Sequence, residues 1–292
     1  AKFVGQNAPS GAVISYYQRT RHLFGELKLE ILDADGKVID SIPASKRRGI
    51  NRVTWSMRLK PPRVPKAAQL AFAGTQGPRV LPGTYTVRLT KNKQVYESKI
   101  EVGLDRRASY TVADRKVQFD ASMRVHGLFG RMTELTDRIQ FLQMMAGGIG
   151  GKLPKDDALA KDLAKFVADA ETIRKDIVAT KEGGAITGEE RLREHTDTLY
   201  SAVLGYEGLP AATLITRIGV LEAELDAVTA KFDALSAKAL PALNGELQKR
   251  KMPELSWPPK GPMPPTAEVR SSDGNVGGMS SPKKYYRHPL AG

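Results

Sequence analysis

Four histidines, one glycine run and a few adjacent carboxylates are the places where this sequence suggests chemistry. His22, His126, His195 and His288 lie far apart and in different expected elements. None sits in a His-Glu-x-x-His or similar short spacing, so no metal site is expected. Glu194 and His195 are neighbours in sequence, which on a helix sends their side chains to different faces. Gly147 to Lys152 has the look of a phosphate loop but fails in detail. The first required glycine falls on Ala146, Leu153 follows the lysine in place of Ser or Thr, and a helical pattern precedes it. This run is expected to be a flexible interhelical loop. Asp156-Asp157 and Glu189-Glu190 fall at expected helix starts, where carboxylates complement the helix dipole. No Gly-x-Ser-x-Gly elbow occurs, and the absence of cysteine excludes thiol nucleophiles and disulfides. No catalytic, metal-binding or cofactor-binding residue is assigned, and the chain is read as a non-enzyme without a cofactor.

The 292 residues suffice for two ordinary domains, and 41% apolar content allows a sizeable core. No run of eighteen apolar residues is present, so no segment of the chain's own is expected to span a membrane. The sequence opens on Ala1 with no visible signal peptide, which is read as a processed product whose export signal lay upstream. The +13 net charge is uneven. Residues 1–110 hold 20 Lys and Arg against 8 Asp and Glu, whereas residues 111–252 hold 20 against 21. The positive field belongs to the first domain and suits an acidic protein or anionic headgroups. The basic residues are scattered without a recognition motif, so nucleic acid is not expected.

The N-terminal third carries strand patterns. These are Ala12 to Gln18, the alternating Glu26 to Leu32, Lys37 to Ile42, Gly49 to Met57, Leu81 to Leu89 and Gln94 to Val102. Asp33-Ala-Asp-Gly36 and Lys91-Asn92-Lys93 are turns. Short strands without helices between them predict an antiparallel β-sandwich. Residues 60–80, with four prolines, form a long loop of the kind that often makes contacts. From Thr111, with Asp114 three residues on as a capping pair, the period becomes helical. Four segments follow: a seam from Val117 to Leu142 ended by the glycines at 147–151, a second helix ended by Gly183-Gly184, a third opened by a capping box at Thr187–Glu190, and a fourth seam from Leu214 to Leu235 that Pro241 should kink. Short connections predict an up-down antiparallel four-helix bundle. Trp257 to Pro265 favours polyproline II, and residues 260–292 should be disordered unless a partner supplies their contacts. The expected class is thus α+β and multidomain: an extended segment and first strand (1–24), a sandwich (25–108), a bundle (109–252) and a Pro/Gly-rich tail (253–292).

Aromatic and basic residues near the ends are the candidates for partner binding: Tyr16, Tyr17, Arg47, Arg48, Arg63, Trp257, Lys283, Lys284, Tyr285, Tyr286 and Arg287. Aromatics beside Arg and Lys anchor interfaces, with ordinary packing as the alternative for the tyrosines. Trp55 is assigned to the core.

Asn7 to Ile14, Leu27 to Val38, Gly49 to Trp55, Leu81 to Leu89 and Leu240-Pro-Ala-Leu-Asn244 resemble the C-terminal region of exported bacterial sortilin-like BNR-repeat proteins, often labelled glycosyl hydrolases. The sandwich part also looks like the Ig-like domain of flagellar hook-capping proteins. The resemblance covers roughly residues 5–256 and departs from the family pattern after about Pro258. In that family a large β-propeller comes first and would carry any hydrolase site; this sequence has no propeller repeats. The resemblance therefore implies an Ig-like fold, export to the periplasm or beyond, and a binding scaffold, without transferring a catalytic residue. The expected function is a structural or accessory subunit docked in a larger assembly through the basic sandwich, the 60–80 loop and the tail. The rivals are a fragment of a propeller hydrolase and a carbohydrate- or surface-binding module.

Overall fold

The computed structural model describes residues 5, 10–181 and 188–258. Six strands form where side chains alternate: β1 (Ala12–Gln18), β2 (Leu27–Leu32), β3 (Val38–Ile42), β4 (Gly49–Trp55), β5 (Gly83–Lys91) and β6 (Gln94–Val102). They make two antiparallel sheets, a two-stranded β1-β4 pair and a four-stranded sheet ordered β3-β2-β5-β6. The β2–β3 turn closes because the Asp33 carboxylate accepts from the backbone N–H groups of Asp35 and Lys37, while Gly36 takes φ +78°. Both sheets feed one core. Leu29, Ile31 and Val87 of the larger sheet pack with Trp55 of the smaller, joined by Ile14, Val53 and Tyr85. Trp55 is fully buried, edge-to-face on Tyr85 at 5.3 Å between centroids.

Four helices follow: α1 (Val112–Gly150), α2 (Ala158–Ile177), α3 (Leu192–Leu204) and α4 (Ala212–Lys249). Thr111 caps α1, its hydroxyl accepting from the Asp114 N–H while the Asp114 carboxylate accepts from the Thr111 N–H. The seam read from the sequence is buried from Ala121 to Leu142, with Val117 left exposed. Sheets and helices belong to one compact unit that ends at Trp257.

Helix direction departs from the expected up-down order. Arg124 pairs with Glu222, Arg131 with Asp226 and Arg138 with Asp233, so α1 and α4 run parallel. Lys231 meets Asp176 and Arg250 meets Asp157, so α2 runs against α4. α3 also runs against α1: Gln118 bonds the Val203 carbonyl, and Phe129 stacks on Tyr200. Hence α2 and α3 point the same way, one after the other. Together they flank the long α1/α4 pair, and at each level three helices meet.

Three expected helix ends move for related reasons. The glycines at 147–150 stay helical because Ala146 and Ile149 remain buried and Gly150 faces α2, where a Cβ would stand 3.7 Å from the Leu163 side chain. The run is thus not a loop. α2 stops at Ile177, ahead of Gly183-Gly184, because Val178 turns to extended backbone and is buried with Ala179. α3 starts at Leu192, after the expected box. Glu194 accepts from the Arg191 N–H, and Glu189 instead accepts from the N–H groups of Thr180 and Lys181 (2.9 and 2.7 Å). Gly183, Gly184 and Thr187 lie outside the described residues. Pro241 does not end α4, which continues to Lys249. Leu255 is buried and bonds both ways to the Asn244 side chain, so residues 253–257 belong to the bundle, where an extended tail is expected.

Candidate interaction surface

The 60–80 loop is a strap on the chain's own helices. It runs out along α1: His126 Nε2 meets the Lys60 carbonyl (3.2 Å), Thr133 donates to the Arg63 carbonyl (2.8 Å), and Arg63 pairs with Asp137 (2.7 Å). It turns over the start of α3, where Arg193 donates to the carbonyls of Pro65 and Gln69 (both 2.9 Å). It returns along α3: Asp197 accepts from the Gly74 N–H (2.8 Å), and Tyr200 donates to the Gln76 carbonyl (3.2 Å). A proline-rich segment cannot satisfy its own backbone, so the helices supply donors and acceptors. Val64, Ala67 and Ala73 add apolar contacts to the bundle core. Leu70 and Phe72 remain exposed at the far end of the strap.

Where the strap rejoins β5, ionisable groups gather. Arg115 of α1 is buried. It donates to the carbonyls of Arg79 (2.6 Å) and Val80 (3.2 Å) and to Gln118, and it lies 3.9 Å from Glu207. Glu207 also pairs with Arg79 (2.7 Å) and accepts from the Tyr110 hydroxyl (3.2 Å). Burial pushes the Tyr200 phenol well above its usual range and lowers the Arg58 and Arg115 guanidiniums. Shifts of this kind can mark an active site. Here backbone carbonyls occupy the donors, and the cavity beside them is about 70 Å³, room for about two waters. The cluster is the joint between sheets and helices. Among the described residues no group of three His, Cys, Asp or Glu could hold a metal. No helix among them is long and apolar enough to cross a membrane.

The candidate partner-binding residues separate into two places. Tyr17, Arg47 and Arg48 meet at one end of the β1-β4 pair. Tyr17 lies across from Ile50 in the register, and Arg48 precedes the first residue of β4. Val13, Tyr17, Ile50 and Arg52 share the outer face and are exposed, Tyr17 at 67% and Ile50 at 76%. Tyr16 points inward and donates to the Ser45 carbonyl (2.7 Å), so it is a packing residue. Burial raises its phenol. The chain after β1 adds Arg19, Arg21, Leu23 and Phe24 to this end, because the His22 N–H donates to the Lys46 carbonyl (3.0 Å). Sequence reading missed Leu23 and Phe24. Their signal was two bulky apolar residues between a basic stretch and Gly25, outside any alternating run.

The second place is on α1, where Arg63 and Trp257 line one shallow groove with His126, Glu134 and Asp137. Trp257 packs against Phe141 at 5.4 Å between centroids. Lys283, Lys284, Tyr285, Tyr286 and Arg287 lie outside the described residues. A wider groove of about 650 Å³ separates α2 from the end of α4, floored by Leu159, Phe166, Leu235 and Leu243 and edged by lysines and carboxylates. Comparison with protein-family models, with curated proteins and with solved structures finds no match.

Proposed function

We propose that this chain is a non-catalytic accessory or structural subunit, exported and held in a larger assembly by the end of its β1-β4 sheet. The observation that carries the reading is the gathering of Tyr17, Ile50, Arg47 and Arg48, all exposed, at one end of the β1-β4 pair. No carboxylate pairs with either arginine among the described residues. Folding that leaves large apolar side chains beside unpaired cations is stable but poised for association. Leu70 and Phe72 at the tip of the strap offer a second contact, and the basic, aromatic tail a third. We read the two sheets as an Ig-like sandwich and the whole as the end of a sortilin-like BNR-repeat protein without its propeller. On that reading the place of work is the periplasm or the cell surface. The test is co-purification of the tagged full chain from its source cells. Stable partners present with the wild type and absent with Tyr17→Ala/Arg47→Ala/Arg48→Ala support the reading. Identical partners for both would overturn it.

A further inference from the structure

We infer that the loop at residues 19–25, with its basic collar, seats on an anionic lipid surface; this rests on the docking reading above. Leu23 is 62% and Phe24 87% exposed, the latter the most exposed large apolar side chain among the described residues. The loop that presents them is built. His22 is buried, its N–H donating to the Lys46 carbonyl (3.0 Å) and its Nε2 lying 3.2 Å from the Gly25 carbonyl. Gly25 takes φ +88° against the β5–β6 turn, where a Cβ would stand 2.1 Å from Asn92 Oδ1. The Asn92 N–H donates to the Glu26 carbonyl (2.9 Å) and closes the base. So the two apolar side chains are held outward by a fixed backbone.

Around them stand Arg19, Arg21, Lys46, Arg47 and Arg48, all exposed and without an ion-pair partner among the described residues. The loop itself holds no carboxylate, and Glu26 follows directly after it. A protein pocket could accept one such side chain. Two adjacent ones, at a loop tip inside a ring of long cations, match a bilayer interface. The apolar pair enters the acyl boundary while the arginine and lysine stems reach the headgroup level. The charge sign selects anionic lipid.

The experiment is vesicle sedimentation with the full chain. One set of vesicles is phosphatidylcholine containing about one-third phosphatidylglycerol, the other phosphatidylcholine alone, at low and physiological salt. The expected result is partition onto the anionic vesicles, weakened by salt and absent on neutral ones. Leu23→Ser/Phe24→Ser and Arg47→Glu/Arg48→Glu should each lower it about tenfold or more, with unchanged thermal midpoints. No partition onto anionic vesicles overturns the inference, as does partition of both variants at the wild-type level, which would place lipid binding elsewhere in the chain. If vesicles fail while Tyr17→Ala/Arg47→Ala/Arg48→Ala still releases protein partners, the lipid assignment falls and the docking reading stands.

Discussion

Arg115 shows how a single side chain joins the two halves. Its guanidinium satisfies two carbonyls of the strap's return and one glutamine of its own helix, in a site where it is almost fully buried. Removing it leaves acceptors buried without donors. Arg115→Ala should cost about 2–4 kcal/mol in chemical denaturation, and Arg115→Lys should not restore it, because a point charge cannot serve a forked set of acceptors. Glu189 is a second such residue. Hydrogen bonds from Lys181 and Thr180 hold its carboxyl below the usual range, as Arg174 does for Glu171. A carboxyl depressed on folding stabilises the fold above its unfolded value and loses that contribution as pH falls through the folded value. Stability should therefore be flat near neutrality and fall on acidification below the ordinary carboxylate range. Glu189→Gln should lower the neutral plateau and shallow that fall, read from thermal melts across pH. The sequence could not assign either role. Arg115 reads as one more charge on a helix, and Glu189 as the third residue of a capping box, until the chain is closed around them.

At the scale of elements, the strands were legible because alternation of side chains is a local property that a half-buried sheet enforces. All six form where that pattern runs. The helix seams were legible for the same reason at a different period. Helix ends were not. Glycines at 147–150 stay helical because an apolar face continues through Ala146 and Ile149, so packing outweighs propensity. The direction of α3 was also hidden, since a connection longer than a tight turn need not reverse the chain. The strap was seen as a contact element, but its partner is mainly the chain's own bundle. Its hold depends on α3. Arg193→Ala should free the turn of the strap, and trypsin cleavage after Lys66 should accelerate about tenfold while the sheets stay folded. Cleavage at the wild-type rate would show that apolar contacts of Val64 and Ala67 suffice. Gly77 is a sharper constraint, because a Cβ there would lie 1.8 Å from the Leu59 carbonyl oxygen. Gly77→Ala should destabilise by about 2–4 kcal/mol in the same denaturation assay.

Taken whole, the molecule separates its tasks by charge. The helices carry nearly balanced charge and spend much of it on pairs that cross between α1 and α4, or between α2 and α4. Exposed pairs of this type add little stability each, but together they are consistent with one register. The sheets carry the net positive charge, and at the β1-β4 end, beside Tyr17, Ile50, Leu23 and Phe24, it has no ion-pair partner among the described residues. That asymmetry was visible in the sequence as a charge count. The position of the patch was not, because it depends on the Lys46 carbonyl drawing the 19–25 loop against the start of β4. The most direct measurement is the native mass of the full chain in extracts of its source cells, against the Tyr17→Ala/Arg47→Ala/Arg48→Ala variant. The expected result is a wild-type species well above the chain's own 31.9 kDa and a variant released toward that mass with an unchanged melting point. Both proteins migrating as monomers of that mass would contradict it.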